Sequence, residues 1–203
     1  MPTVAMAEQR CDASLFGKGP LTQFHPATVS GEKGTRAYFH DSGNDCPSSE
    51  NCRRKAYVIA GDRLLVGTEA DKWACAYFSG EKGSVTGWVR KGQLNFSQPN
   101  SHPNLASWLG DWKLGRNSFS VQHGEKPGSL TVDGIALWGE GPAPHTGSVE
   151  ASAVPARNQV IIKDGPCQIT LTLVDEWLIA ADNHECGGMN VTFDGVYNRR
   201  RAP

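Results

Sequence analysis

The side chains best suited to nucleophilic chemistry are His184 and Cys186, near the C-terminal end of the sequence. They lie two positions apart, so on a strand they would share one face. A cysteine nucleophile needs a neighbouring imidazole to hold it as a thiolate and a third group to orient that imidazole. The sequence supplies no third residue there, and a disulfide at Cys186 would remove the nucleophile. We therefore expect a protein without catalytic activity.

Other motifs of catalysis and metal binding are missing from the sequence. It contains no Gly-x-Ser-x-Gly, no His-Glu-x-x-His, no phosphate loop and no dinucleotide fingerprint. Asp175 and Glu176 are adjacent and would face opposite sides of a strand, which does not suit paired acid–base work. The cysteines include no Cys-x-x-Cys and no zinc-finger spacing. We predict no catalytic residues, no metal ligands and no cofactor.

The cysteines predict three disulfides. Six cysteines allow 15 pairings, but four precede residue 80 and two follow residue 160, which favours closure within domains. The predicted bridges are Cys11–Cys75, Cys46–Cys52 and Cys167–Cys186. The alternative in each case is a pair of buried free thiols. With 23 glycines and 12 prolines, this composition favours an all-β protein from an oxidising compartment.

Charge and hydropathy narrow the range of partners. The chain has 20 basic and 21 acidic residues, which leaves no basic field for binding nucleic acid. No apolar run approaches the roughly 20 residues that a membrane-spanning helix needs. Within residues 2–7, Ala5-Met6-Ala7 has the small-x-small form that precedes a signal-peptidase cut, and the alternative is an ordinary N-terminal segment. We predict a periplasmic or secreted protein that binds no nucleic acid and spans no membrane.

The placement of turn residues predicts two β domains. Residues 97–107 form a polar, proline-containing segment that is predicted to be a linker. Residues 35–96 and 108–200 on either side contain short β-rich runs separated by glycine and asparagine. Residues 1–34 are predicted to be an N-terminal extension.

The first domain resembles a bacterial SH3 domain over residues 35–96. Gly61-Asp62 precedes an alternating strand, Trp73 and Tyr77 have the Trp-x-x-x-Tyr spacing, and Gly87-Trp88-Val89 is followed by a final leucine at 94. The resemblance implies a small barrel with a groove that binds cell-wall peptides or proteins. Aromatic side chains bury large areas at little entropic cost, and some of them are equally suited to filling the barrel. The groove residues implied by the resemblance are Tyr38, Asp41, Asp45, Tyr57, Trp73 and Tyr77.

The second domain is predicted to be an antiparallel meander barrel. Its strands are expected at residues 118–122, 129–137, 147–153, 159–163, 168–174, 177–181 and 190–197. Alternation is clearest where Ile169, Leu171 and Leu173 share one face. Gly110-Asp111-Trp112 and the terminal Arg199 resemble the ends of lipocalin-like barrels, which implies that Arg199 stacks on Trp112. The barrel also resembles bacterial lysozyme inhibitors in size and class.

Residues 181–197 form the segment richest in polar side chains and glycines. Its Asp-Asn-x-x-Cys-Gly-Gly ending is similar to endings in exported bacterial proteins of uncharacterised families. Gly187 and Gly188 predict a sharp turn at a barrel rim tied down by Cys186. The candidate binding residues at this rim are Asp182, Asn183, His184, Glu185 and Asn190. The alternative is that the first two of them form only an Asx-type turn.

Two functions are compatible with a rigid, disulfide-tied β scaffold. The first is a non-catalytic binding protein at the bacterial cell envelope that recognises a peptidoglycan peptide or a wall-associated protein. The second is an inhibitor or immunity protein whose rim blocks a peptidoglycan-cleaving enzyme or toxin. A Cys/His cell-wall amidase is the least favoured alternative, for the reasons given for Cys186.

Overall fold

The computed structural model of the protein describes residues 10–14, 16, 24–43, 45–80, 83–141 and 143–200. These residues form two compact units. Unit 1 contains residues 10–14 and 24–98, and unit 2 contains residue 16 and residues 99–200. Each unit has one antiparallel sheet, which confirms the all-β prediction. The segment at residues 2–7 that resembles the tail of a signal peptide lies outside the described residues.

Seven strands form the sheet of unit 1. They are β1 (His25–Val29), β2 (Arg36–His40), β3 (Arg53–Ile59), β4 (Arg63–Ala70), β5 (Trp73–Gly80), β6 (Gly83–Arg90) and β7 (Leu94–Phe96). Their order in the sheet is β3-β2-β6-β5-β4-β1-β7. Short 3-10 helices at Glu50–Cys52 and Lys91–Gln93 lead into β3 and β7.

Strand β1 lies within the segment that was expected to be an extension. It pairs with β4 and with β7, so the sheet of unit 1 begins at His25 and not at residue 35. Pro26 obscures the strand pattern because proline donates no ladder hydrogen bond. The strand is nevertheless held by its apolar side chains, since Ala27 and Val29 are both buried in the core of the unit.

Two disulfides lie in unit 1, and both were predicted from the cysteine distribution. Cys11 is joined to Cys75 on β5, and this bond ties the segment at residues 10–14 to the sheet. Cys46 is joined to Cys52 across a short loop. Because this loop connects β2 with β3, its disulfide fixes the backbone between two neighbouring strands.

Eight strands form the sheet of unit 2. They are β8 (Gly110–Leu114), β9 (Asn117–His123), β10 (Leu130–Trp138), β11 (His145–Ala153), β12 (Gln159–Asp164), β13 (Cys167–Val174), β14 (Trp177–Asp182) and β15 (Gly195–Arg199). The order β11-β10-β9-β8-β15-β14-β13-β12 makes the first strand of the unit a neighbour of the last. The Glu150 N–H on β11 donates to Asp164 Oδ2 on β12 at 3.1 Å, so the two edge strands approach each other and the sheet nearly closes into a barrel.

The interior of unit 2 is filled by its own side chains. Ile169, Leu171 and Leu173 alternate along β13 and are all buried in the core, as their period predicts. Trp108 and Trp112 are fully buried, and the indole N–H of Trp112 donates to the Trp108 carbonyl at 2.9 Å. The third disulfide, Cys167–Cys186, closes against the same core and was also predicted.

The predicted contact between Arg199 and Trp112 is confirmed. The guanidinium carbon of Arg199 lies 4.6 Å from the centre of the Trp112 ring, and the two residues are partners in the β15–β8 ladder. Arg199 also donates a side-chain hydrogen bond to the Ser107 carbonyl. The arginine thus connects the last strand of unit 2 to the first strand and to the segment before it.

Replacing Arg199 tests how much this contact contributes to the free energy of unfolding. An R199Q variant loses the cation–π contact and is expected to lower the free energy of unfolding by about 1 kcal/mol. R200Q is the matched control, because it removes the same charge from the next, exposed residue. Urea titration followed by tryptophan fluorescence measures both variants. Equal stability of R199Q and R200Q would show that the contact has no energetic role.

Candidate functional site

Unit 1 carries a polar cleft of about 550 Å³ along β2 and the loop that follows it. We call this cleft the arginine cleft. It is lined by Arg36, Tyr38 and His40 of β2, the loop at residues 48–51, Arg53 of β3, Arg90 of β6 and Gln93. Three guanidinium groups therefore face a single carboxylate, that of Glu50.

Local sequence explains why these groups meet. Arg36, Tyr38 and His40 alternate along β2, and alternate residues of a strand project to one side. The facing wall is the loop closed by the Cys46–Cys52 disulfide. Its backbone is held at both ends, since the Cys52 N–H donates to the Ser49 carbonyl at 3.1 Å and the Asp41 N–H donates to the Cys52 carbonyl at 2.8 Å. Both walls of the cleft are thus fixed before any ligand binds.

Two tyrosines and two arginines stack along one margin of the cleft. The ring centres of Tyr38 and Tyr57 lie 5.6 Å apart. Arg36 covers the Tyr57 ring at 4.4 Å, and Arg53 covers the Tyr38 ring at 4.8 Å. Stacking fixes the planes of the guanidinium groups and leaves their N–H edges available for an acceptor.

A second stack forms the inner end of the cleft. The imidazole of His40 lies 4.5 Å from the Trp73 ring, and Arg90 covers the same ring at 4.7 Å. His40 is only 8% exposed, and its Nδ1 has no hydrogen-bond partner among the described residues. Burial lowers the pKa of His40, the charges of Arg90 and Arg53 lower it further, and the Pro47 carbonyl and Asp41 act against them. His40 is therefore a largely neutral polar group at the floor of a cationic cleft.

The structure separates the six groove residues that the SH3 resemblance implied. Tyr38 lines the cleft and Tyr57 stacks on it, while Trp73 is buried behind His40 and Arg90. Tyr77 is 2% exposed and faces the interior of the unit, so no ligand in the cleft reaches it. The two acidic residues are not among the lining residues. Asp41 pairs with Arg54 at 3.5 Å, and Asp45 is exposed on the loop.

The sequence did not predict the arginines of the cleft. Arg36, Arg53 and Arg90 come from three strands that are separated in sequence, and no motif joins them. One signal was present, because Arg36, Tyr38 and His40 have the period-two spacing of a single strand face. That pattern predicts a polar, aromatic face on β2, although it does not predict which strands pair with it.

In unit 2, the predicted rim residues lie on a loop at residues 183–194, which we call the Cys186 loop. The loop is built around the carboxylate of Asp182, whose side chain is fully buried. Asp182 Oδ1 accepts from the His184 N–H at 2.8 Å, and Asp182 Oδ2 accepts from the Phe193 N–H at 2.6 Å and from Thr192 Oγ1 at 3.2 Å. The carboxylate thus joins the two ends of the loop.

The side-chain amide of Asn183 also forms hydrogen bonds with the backbone of unit 2. Its Oδ1 accepts from the Gln168 N–H at 3.1 Å and from the Glu185 N–H at 3.3 Å, and its Nδ2 donates to the Pro166 carbonyl at 2.8 Å. Asp182 and Asn183 therefore form the Asx turns that were considered as the alternative to a binding role. His184, Glu185 and Asn190 remain exposed on the loop.

The predicted strand at residues 190–197 is wrong over its first half. Strand β15 begins only at Gly195. Asn190 has a φ of 63°, which breaks an extended strand, and the N–H groups of Phe193 and Asp194 bond to the side chains of Asp182 and Thr192 instead of a neighbouring strand. Hydrogen bonds to side chains therefore take the place of the hydrogen bonds that a β-ladder would form here.

Asp182, His184 and Asp194 bring three potential metal-ligand atoms within 4.8 Å of one another. The oxygens of Asp182 already accept hydrogen bonds from the chain, and His184 Nδ1 lies 3.1 Å from Asp182 Oδ1. Burial raises the pKa of Asp194, although its carboxylate accepts the Asp182 N–H at 2.8 Å. The arrangement is that of a structural network, and we assign no metal to it.

An exposed apolar patch lies beside the Cys186 loop. Trp138 at the end of β10 is 46% exposed, and Met189 is 72% exposed. The imidazole of His145 lies 5.4 Å from the Trp138 ring, and its Nδ1 contacts the Met189 carbonyl at 2.9 Å. The loop passes so close to β11 that a Cβ on Gly147 would collide with the Cys186 carbonyl. This patch is the part of the rim most available to a partner.

Cys186 is not a free thiol and cannot act as a thiolate nucleophile. Its sulfur is bonded to Cys167, and none of the six cysteines is free. The Cys/His nucleophile considered for His184 and Cys186 is therefore not formed in this state of the protein.

Truncating Asp182 tests its structural role. D182A leaves the Phe193 and His184 N–H groups without their acceptor, and we expect it to lower the free energy of unfolding by about 3 kcal/mol. D133A on the exposed face of β10 is the control and should change stability by less than about 0.5 kcal/mol. Chemical denaturation measures both variants. A D182A variant as stable as D133A would contradict the proposed network.

The lowered pKa of His40 predicts a dependence of stability on pH. A histidine titrates near pH 6.5 in the unfolded chain and at a lower pH in the folded protein. Between these two values the unfolded chain binds more protons, so stability falls as the pH decreases from about 6.5 towards the folded pKa. H40F should lose less stability than the unmodified protein between pH 7 and pH 5, as measured by thermal unfolding at each pH. H123F, an exposed position in unit 2, should retain the full loss.

The disulfides bear on where the protein acts. The three disulfides are consistent with a secreted or extracellular protein. Within the described ranges, no helix has the length and apolar character needed to cross a membrane. Comparisons with protein-family models, with curated proteins and with solved structures found no match to this chain.

Proposed function

We propose that this protein is a non-catalytic binding protein that is exported to the periplasm and acts at the bacterial cell envelope. In this proposal, the arginine cleft of unit 1 recognises a peptide of peptidoglycan or of a wall-associated protein. Unit 2 serves as a rigid companion domain.

The observation that carries the proposal is a preformed cleft lined by three arginines that have no carboxylate partner among the described residues. Arg36, Arg53 and Arg90 form no ion pair with any described residue and instead lie over aromatic rings. Elsewhere in the same unit, Arg54 and Lys91 do find carboxylates. A fixed cleft with unused hydrogen-bond donors and aromatic faces suits a polar peptide, because little entropy is lost in ordering the site.

The same features support binding without catalysis. Among the described lining residues there is no cysteine, and Glu50 is the single acid, so they supply no pair of carboxylates for acid–base chemistry. The SH3-like assignment of residues 35–96 remains a prediction that agrees with this function. The lipocalin-like assignment of unit 2 has no bearing on it.

The alternative is an inhibitor or immunity protein that blocks a peptidoglycan-cleaving enzyme or toxin with unit 2. The exposed Trp138 and Met189 favour it, because tryptophan and methionine are enriched at protein interfaces and the Cys186 loop beside them is held rigid. We rank it second because the arginine cleft offers a preformed cavity lined by arginines without carboxylate partners among the described residues.

Retention on purified sacculi tests the proposed function. The protein should co-sediment with sacculi, and Y57S should reduce its affinity about tenfold, because the variant removes an aromatic face at the margin of the cleft. F96S is the matched control, since Phe96 is 41% exposed and Tyr57 is 42% exposed in the same unit. Retention that is unaffected by Y57S would contradict the site.

The same experiment separates the two candidate functions. An inhibitor would not be retained by bare sacculi but would block their digestion by a muramidase or an amidase. Failure both to bind sacculi and to block digestion would contradict both functions.

A further inference from the structure

We infer that the arginine cleft takes the end of an anionic peptide and seats one ligand carboxylate between Arg53, Arg90 and His40. This inference rests on the proposed function and adds to it the chemical class of the ligand. It follows from the charge of the cleft, from the convergence of its donors and from an unpaired buried atom at its floor.

The charge of the cleft selects an anion. Arg36, Arg53 and Arg90 line it together with Glu50 as the only acid, and His40 is largely neutral. Guanidinium groups bind carboxylates through paired N–H donors in a fixed plane. The aromatic rings beneath them fix that plane but contribute no negative charge to neutralise them.

The donors converge at the inner end of the cleft. His40 and Arg53 are opposite each other in the β2–β3 ladder. On its other side, the ring of His40 lies tilted against the ring of Trp73, and Arg90 covers the Trp73 ring. The positive charges of Arg90 and Arg53 both act on His40, so an acceptor beside this imidazole is attracted by both arginines.

His40 supplies the independent observation. Its side chain is more than nine-tenths buried, it lines the cleft, and Nδ1 has no hydrogen-bond partner among the described residues. A buried polar nitrogen without a partner is costly, and a ligand group that hydrogen-bonds to it removes that cost. A neutral imidazole has a single N–H, so donation from Nδ1 to the ligand carboxylate replaces the hydrogen bond between the ring and the Pro47 carbonyl.

The length of the cleft indicates a peptide rather than a small anion. Arg36 lies four residues before His40 on β2, which corresponds to roughly 13 Å along a strand. A single carboxylate cannot bridge that distance, but about four extended residues can. We therefore place the terminal carboxylate at His40 and a second acidic group, or the peptide backbone, at Arg36 and Tyr57.

Calorimetric titration with one stem tetrapeptide purified from sacculi tests the inference. The peptide is used with its free carboxylates and, in parallel, after conversion of those carboxylates to amides. We expect the free acid to bind at least tenfold more tightly than the amide, and we expect this preference to decrease between 50 mM and 500 mM NaCl as the charges are screened.

Variants of the arginines test whether they cause the preference for the free acid. R53Q and R90Q should each bring the ratio of the two affinities towards one by weakening the free acid and sparing the amide. R90K should restore only part of the preference, because lysine keeps the charge without the planar fork. R200Q removes the same charge from unit 2 and should leave the ratio unchanged. A variant that merely loses structure would weaken both ligands alike, and this result would overturn the assignment of these arginines.

The outcomes also separate the inference from the function on which it rests. Equal binding of the free acid and the amide would overturn the carboxylate site and leave peptide recognition intact. Binding of neither form would contradict peptide recognition itself. A tenfold preference that R53Q and R90Q abolish would support both.

Discussion

The sheets of this protein depend on disulfides that fix segments with few ladder hydrogen bonds of their own. The loop at residues 46–52 has only short turns and one 3-10 helix, and its disulfide holds it beside β2 and β3. The Cys186 loop is similar, because its backbone donors bond to side chains and its chain is joined to β13 through Cys167. Closing such loops covalently removes conformations from the unfolded chain and leaves the folded loop with a defined shape.

The two fixed loops use their polar groups in opposite ways. In the Cys186 loop, Asp182 and Asn183 accept hydrogen bonds from N–H groups of the loop, so these two polar side chains are used by the fold. In the arginine cleft, the loop supplies one wall while Arg36, Arg53 and Arg90 remain without anionic partners among the described residues. Since a buried or stacked donor without an acceptor has unused capacity for a ligand, the second loop is the better place to look for function.

Much of the fold was accessible from the sequence. The three disulfides follow from the spacing of the cysteines, and most strands follow from short alternating runs such as Ile169, Leu171 and Leu173. Two elements were not accessible. Strand β1 is concealed by Pro26, and residues 190–194 have the composition of a strand although the N–H groups of Phe193 and Asp194 bond to the side chains of Asp182 and Thr192. In both cases a contact distant in sequence overrides the local pattern.

The site was less predictable than the fold, for a physical reason. A core position requires only an apolar side chain at the right period, and this period can be read along one strand. The arginine cleft instead requires Arg36, Arg53 and Arg90 to line the same cleft from three strands whose pairing is set by the order β3-β2-β6. The resemblance to SH3 domains included Tyr38 and Tyr57, which lie at the arginine cleft, and also Tyr77, which is buried in the interior of the unit. Aromatic residues on a small sheet can either fill the interior or form a binding surface. In this unit, the charged groups that lie over the aromatic rings distinguish the binding surface from the core.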